Sequence, residues 1–374
     1  MNDILQITII LAFSFIATII SRRIQIPEVV GLMVIGVILS PSLLGWVTGG
    51  HTIEVISEVG VILLMFLAGL ESDIELLKKY LKPSLLVALT GVFIPILIFG
   101  AVSIGLGHDI STSFFYGIVF SATSVSITVQ VLQEYGKLST KAGNIILGAA
   151  VVDDILAILI LSVFTSVKKQ EGNLLYQFMS EIIFFIFLFL VYKFIPNFWK
   201  LVNKLSVPKK HVITALLICL SLSLLANSVG MSAVIGSFFA GLAIAQTKVS
   251  DQIESAISEI GNIIFIPVFF VSIAISIDLK SLLTAPMLIL CFTILAILTK
   301  FVPAYYAGKL FNLDKEESLL IGAGLVSRGE MALIVAQIGI TGTIINQTVY
   351  SDLVIVIILT TIIAPFLIKY ILNK

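Results

Sequence analysis

The chain has 374 residues, 59% of them hydrophobic and 12% charged, with a mean hydropathy of +1.15; a soluble domain carries about 25% charged residues. Its 22 Lys and Arg balance 22 Asp and Glu, which removes the bulk-electrostatic case for a nucleic-acid partner. Three histidines and two cysteines in separate apolar runs (Cys219, Cys291) give neither a metal cluster nor a disulfide framework, so the composition is that of a polytopic membrane protein with no cofactor implied.

Taking about 20 apolar residues as one crossing of the bilayer, the sequence predicts thirteen transmembrane segments. The first, near 4–21, has no basic region ahead of its apolar run and places Arg22 and Arg23 after it, the order of a membrane helix and not of a cleaved signal. Segments near 28–45 and 55–70 follow, the latter running into "FLAGLESD", where Glu71 and Asp73 fall at a helix end with an interface or gate role open to them. Next come 84–106, 112–132 and 141–166, then 174–195, 211–228, 232–246 and 257–277, and finally 282–306, 316–341 and 350–371. His51, His108 and His211 lie in loops or at helix ends.

Loop charge checks the count. With the N-terminus outside, the outer loops hold only Lys168, Lys169 and Lys280; Lys300 and Arg328 fall within the membrane, and every other Lys and Arg lies on the cytoplasmic side. That is the positive-inside asymmetry, with the C-terminus cytoplasmic, and a miscount by one segment scrambles it.

Two short matches indicate an internal repeat. "VVGLMVIGVIL" at 29–39 echoes "VIGSFFAGLAI" at 234–244, pairing Gly31 and Gly36 with Gly236 and Gly241, and "ISEVG" at 56–60 echoes "ISEIG" at 257–261. The second segment thus pairs with the ninth and the third with the tenth. An odd shift means the halves cross in opposite directions, the inverted repeat of secondary transporters.

Polar groups inside these segments carry the chemistry. A nearly equal offset links "FSATSVSITVQVL" at 120–132 to "GAGLVSRGEMALIVAQIG" at 322–339. Thr123, Ser124, Ser126 and Thr128 in one, and Gly322, Gly324, Ser327 and Gly329 in the other, mark places for a helix to break, presenting backbone amides and carbonyls to an ion. The plainer reading, in which Ser and Thr bond back to their own helix, serves either segment alone but leaves the symmetric pairing unexplained. Within "GAAVVDDILAILIL", Asp153 and Asp154 sit halfway along the sixth segment, where insertion of a carboxylate costs about 2.5–3.5 kcal/mol. Adjacent helical residues point about 100° apart, so the two cannot serve one direction. Lys300, on the eleventh segment, is the partner assigned to Asp153. Asp154 is left to carry a proton or, when ionised, a small cation with hydroxyl and carbonyl oxygens around it. A structural salt bridge with a bystander Asp154 is the competing reading. Arg328 and Glu330 are read as a compensating pair that fixes the broken twelfth segment.

"SATSVSITVQVLQEYG", "GAAVVDDILAIL", "LAILTKF" and "GAGLVSRGEMALIVAQIG", in this order, with "IPEVVGLMVIGVILSP" and "FLAGLESD", resemble the bacterial sodium/proton antiporters of the NapA and GerN type, in the monovalent cation:proton antiporter superfamily. The likeness runs from about residue 27 to 341. It implies an all-α, NhaA-like fold of thirteen transmembrane helices with two crossed discontinuous helices, and a homodimer in the plasma membrane. It implies a dimerisation domain (1–78 and 206–279), a core transport domain (79–170 and 280–374) that moves like an elevator, and a linker helix (171–205). Carried onto this sequence, Asp154 is the cation and proton carrier that holds the transported Na+, Asp153 the partner of Lys300, and Thr123 and Ser124 neighbours of the site on the unwound stretch. Related potassium efflux proteins carry Gln-Asp at the aspartate pair and a nucleotide-binding domain; here the pair is Asp-Asp and the chain stops at Lys374, which favours Na+ or Li+ over K+ and no nucleotide gating.

The sequence therefore points to a transporter and not an enzyme: a cation/proton antiporter, with K+/H+ exchange by the same machinery the nearest alternative and its purpose open between salt tolerance, pH homeostasis and spore germination. An intramembrane aspartyl protease also uses two membrane aspartates, but needs them facing one another from different helices, which adjacent residues fail to do. A cation channel has no use for an inverted repeat around a titratable site.

Overall fold

In the computed structural model, residues 2–24, 26–72, 74–169, 174–275, 286–341 and 344–373 are described. Their order is α1 (Asp3–Arg23), α2 (Glu28–Leu39), α3 (His51–Leu70), α4 (Ile74–Lys79), α5 (Leu81–Gly105), α6 (Ile110–Ser121), α7 (Val125–Glu134), α8 (Lys141–Lys169), α9 (Leu174–Val202), α10 (Lys210–Ser228), α11 (Ala233–Ala245), α12 (Ser250–Ile260), a π-helical turn (Gly261–Phe265), α13 (Ile266–Ile275), α14 (Pro286–Leu310), α15 (Lys315–Gly324), α16 (Gly329–Thr341) and α17 (Gln347–Leu372). Nine helical spans among the described residues are long and apolar enough to cross a bilayer, joined by the shorter apolar helices α2 and α11. In hydrocarbon every backbone polar group must be satisfied internally, and a helix does this by itself.

Polar residues set several ends. The Asp109 carboxylate accepts from the Thr112 amide at the start of α6, Asn346 accepts from the Val349 amide at the start of α17, and Asp314 with Glu317 forms a capping box on α15; each satisfies an amide that the helix cannot reach. Helix α2 stops at Leu39, short of the expected 45, because Pro41 disfavours helical backbone at Ser40.

The helices pack in two groups. α1, α2, α3 and α10–α13 pack chiefly on one another, as do α5, α6, α8 and α14–α17, while α7 touches both. Where the hydrophobic effect is weak between lipid-embedded helices, close backbone approach at small residues holds them together. A Cβ on Gly69 of α3 would lie 2.1 Å from the Phe238 carbonyl oxygen of α11, and one on Gly241 of α11 would lie 2.1 Å from that of Phe66 on α3. Gly36 of α2 makes the corresponding approach to Val271 and Ala274 of α13. α2 on α13 and α11 on α3 are the two contacts that an inverted repeat interchanges.

Candidate ion-binding site

Two helices of the second group are interrupted at mid-length. Between α6 and α7 the backbone is extended at Ala122 and Ser124, and between α15 and α16 residues 325–328 are not helical. The interruptions cross: the Ser124 amide donates to the Ser327 carbonyl at 2.8 Å, and Thr128 Oγ1 donates to the Gly324 carbonyl at 2.6 Å. Gly329 opens α16 with φ +44°, and a Cβ there would meet the Ser124 side chain at 2.3 Å, so glycine is required on both counts. Helix ends of opposite dipole sign thus meet inside the protein, the place where irregular backbone is tolerated in a membrane.

α8 carries the aspartates past this crossing. Asp153 is 2% exposed and Lys300 of α14 is fully buried; Lys300 Nζ lies 2.7 Å from Asp153 Oδ2. Thr123 Oγ1, from the first interruption, donates to the same Oδ2. The structure therefore brings Asp153, Thr123 and Lys300 together. It adds Gly91 of α5, whose missing side chain leaves room for the ammonium: a Cβ there would stand 3.2 Å from Lys300 Nζ. A buried ion pair is poor evidence for stability, since apolar replacements of equal volume often match it; its place at mid-membrane points to use instead.

Asp154 points elsewhere. It is buried, and it lines a narrow cleft between Val125, Leu147, Ala150 and Val151 on one side and Met65, Val234, Ile235 and Phe238 of α3 and α11 on the other. The cleft, about 10 Å³, is at the lower limit for one water molecule. The neighbouring carboxylates thus lie in different surroundings: one is held by a cation and a hydroxyl, and the other lies on the seam between the two helix groups.

Arg328, fully buried in the second interruption, spends its guanidinium on backbone. Nη2 donates to the Ala296 carbonyl of α14 at 2.6 Å and Nη1 to the Ala122 carbonyl at 3.4 Å, so it ties both interruptions to α14. The side chain of Glu330, its expected partner, lies outside the described residues. Thr361 of α17 accepts from the Gly329 amide at 3.1 Å, a role that sequence position does not betray. Asp352 of α17 is a further buried acid, legible only as a carboxylate in an apolar run.

Glu71 caps the end of α3 and receives Gln133 Nε2 of α7 at 2.8 Å. Glu134, the next residue, accepts from the Glu28 amide at the start of α2 at 3.0 Å. Burial, reinforced by Glu254 and opposed by the Gln133 bond, pushes the Glu71 carboxyl up to about 7. Asp73 lies outside the described residues.

Crossed helix interruptions around buried charges define the secondary-transporter class. The chain belongs to the transmembrane sodium/hydrogen exchanger family, which matches residues 9–374. It is similar to a Na+/H+ antiporter of Enterococcus hirae, 43% identical over 373 residues and covering 98% of this chain and 97% of that one. It is also similar to the Na+/H+-K+ antiporter GerN of Bacillus cereus, 38% identical over 368 residues with 98% and 95% covered. The solved sodium proton antiporter MjNhaP1 of Methanocaldococcus jannaschii shares the fold, with a TM-score of 0.67 at 17% identity, over 96% of this chain and 94% of that one. The protein is accordingly a multi-pass cation/proton antiporter.

Proposed function

We propose that the chain exchanges cytoplasmic Na+ or Li+ for external H+, with Asp154 as the group that holds either ion in turn. The observation that carries this reading is the division between adjacent residues: Lys300 and Thr123 occupy Asp153, while Asp154 lies on the seam between the helix groups. A carboxylate there meets one side of the membrane or the other as the groups shift. In this reading α5–α8 with α14–α17 form a transport domain moving like an elevator, and α1–α3 with α10–α13 a scaffold through which two copies pair. Thirteen crossings, the N-terminus outside and the face carrying Arg22 and Arg23 cytoplasmic complete the topology in the plasma membrane. Ser124 lends oxygen to the cation, and Arg328 with Glu330 stabilises the crossing.

Cation binding at Asp154 that draws Asp153 away from Lys300 releases the ammonium's proton as well, one from Lys300 and one from Asp154 per cation, so exchange is electrogenic. K+ is the alternative cargo, favoured by the K+ in the name of the Bacillus relative; one carboxylate and a few hydroxyls do not fix ion size.

The test is proton movement in proteoliposomes on adding Na+, Li+ or K+ separately, with voltage clamped or free. Na+ and Li+ should drive proton flux that responds to voltage, and Asp154→Asn should abolish it while the protein still folds. Flux in Asp154→Asn at the native rate would remove Asp154 from the mechanism; voltage-independent flux would remove the second proton.

A further inference from the structure

α9 is the passage in the chain from α8 of the second helix group to α10 of the first, and it packs on α8, α10 and α11. Its buried residues Phe184, Leu188, Ile195, Trp199 and Val202 recur at helical spacing and form one face. Pro196 stands near its end. A proline has no amide to give the carbonyl four residues earlier, which makes that point a hinge. The carbonyl left over is that of Tyr192, and Gln246 Nε2, at the end of α11, donates to it at 2.6 Å. α9 is thus fixed to α11 just ahead of the hinge, and residues 197–202 beyond it need a fastening of their own.

Trp199 supplies one. It is 4% exposed, and its Nε1 donates to Nδ1 of His211, in the first turn of α10, at 3.1 Å. The two rings lie within 18° of parallel with centroids 6.2 Å apart, so they meet at their edges, with the indole N–H directed at an in-plane lone pair. An indole nitrogen only donates. Nδ1 is therefore the bare nitrogen of a neutral imidazole whose proton is on Nε2. The His211 ring is half-buried, within reach of water. A proton taken up on Nδ1 sets N–H against N–H, and the bond does not survive it.

We propose that Trp199 and His211 form a pH-operated latch on the hinged end of α9, closed while His211 is neutral and open once Nδ1 is protonated, with residues 197–202 then released from α10. In the exchange reading given above, α9 joins the two helix groups that shift against each other, so the latch adjusts exchange from a place remote from Asp154. That consequence rests on the exchange reading; the latch itself does not. α10 packs on α3, α9, α11 and α12. The charged residues at this end of those helices are Lys200, with Lys204 just beyond α9, Lys209 and Lys210 at the start of α10, Asp251 and Glu254 of α12, and Glu71 closing α3; α11 carries none. Lys210 is spent on the carbonyls of Asn203 and Leu205. Glu71 titrates near 7, so pH alone does not isolate the latch, whereas variants at His211 do.

The experiment uses the full chain carrying Trp46→Phe, which leaves Trp199 alone of the two tryptophans, and follows solvent exchange of its indole N–H by NMR. Protection relative to free tryptophan should be present at about pH 8 and fall about fivefold or more by about pH 5, the range in which a histidine titrates and the worth of one neutral hydrogen bond. His211→Gln, whose side-chain oxygen accepts without titrating, should keep the protection at both pH values, and His211→Phe, which offers no acceptor, should lack it at both. Protection that is unchanged by pH in the His211 protein, or that falls equally in His211→Gln, overturns the latch. Should His211→Gln not fold, His211→Phe decides: protection at about pH 8 equal to that of the His211 protein overturns it. In proteoliposomes, Na+-driven proton flux through the native and His211→Gln proteins should agree at about pH 8 and part below about pH 6. Rates that coincide throughout overturn the role in exchange, and an absence of flux from both sinks the exchange reading while the latch stands.

Discussion

The two helix interruptions are built on one plan and serve different ends. Between α6 and α7 the polar side chains are buried hydroxyls, and Thr123 turns its own toward Asp153. Between α15 and α16 the corresponding place is held by Arg328, which turns to the carbonyls of Ala296 and Ala122. One interruption therefore reaches the buried Asp153–Lys300 pair and the other braces the crossing. An inverted repeat does not require both halves to do chemistry; it supplies two breaks, and sequence differences divide the labour.

This division can be broken from the bracing side first. Arg328→Leu should have the largest effect, because it takes the guanidinium from the Ala122 carbonyl and cuts the tie of both interruptions to α14; a loss of about 3 kcal/mol is expected, read as a lower unfolding midpoint. Arg328→Lys should not restore it, since a single ammonium cannot reproduce the planar fork. Gly329→Ala comes next, at about 1–3 kcal/mol for a side chain forced to positive φ and against Ser124; here the unfolding midpoint and the transport rate should fall together. On the chemical side, Thr123→Val should leave the midpoint near that of the native protein and shift the half-saturating Na+ concentration about tenfold, the worth of one hydrogen bond to a charged group, with Thr123→Ser close to native. A Thr123→Val protein that loses stability but not ion affinity would erase the distinction between the two breaks.

The last effect expected lies outside both. The Glu71 carboxyl sits near 7 instead of 4.5, so over that interval the folded chain binds a proton more tightly than the unfolded chain, and stability falls as pH rises. Above about pH 7 the contribution is flat. Glu71→Gln should remove this fall, seen as unfolding midpoints that no longer decline between about pH 5 and 7.

Much of the fold is written as pattern. Apolar runs of membrane length, loops biased in Lys and Arg, and glycines repeated at matching places suffice to propose the helices and their inverted pairing. The α2–α13 and α3–α11 approaches fall at the repeated glycines Gly36 and Gly241. The Asp153–Lys300 pair was legible because two costly charges in hydrocarbon must meet something, and few candidates exist. What was not legible depends on three-dimensional neighbours of ordinary type. Gly91 is one glycine among 26 until Lys300 is seen beside it. Gln133 and Glu134 read as a polar helix end until they are seen bonded to α3 and α2. The two main-chain oxygens that Arg328 reaches, those of Ala296 and Ala122, carry no signature in a sequence.

Placing both aspartates on one rigid rod has a mechanical outcome. Residues 153 and 154 share the axis of α8, so any turn of that helix that eases one carboxylate off its ammonium must swing the other through the same angle. Loosening the pair and re-aiming the neighbouring carboxylate become a single movement, with no messenger needed between them.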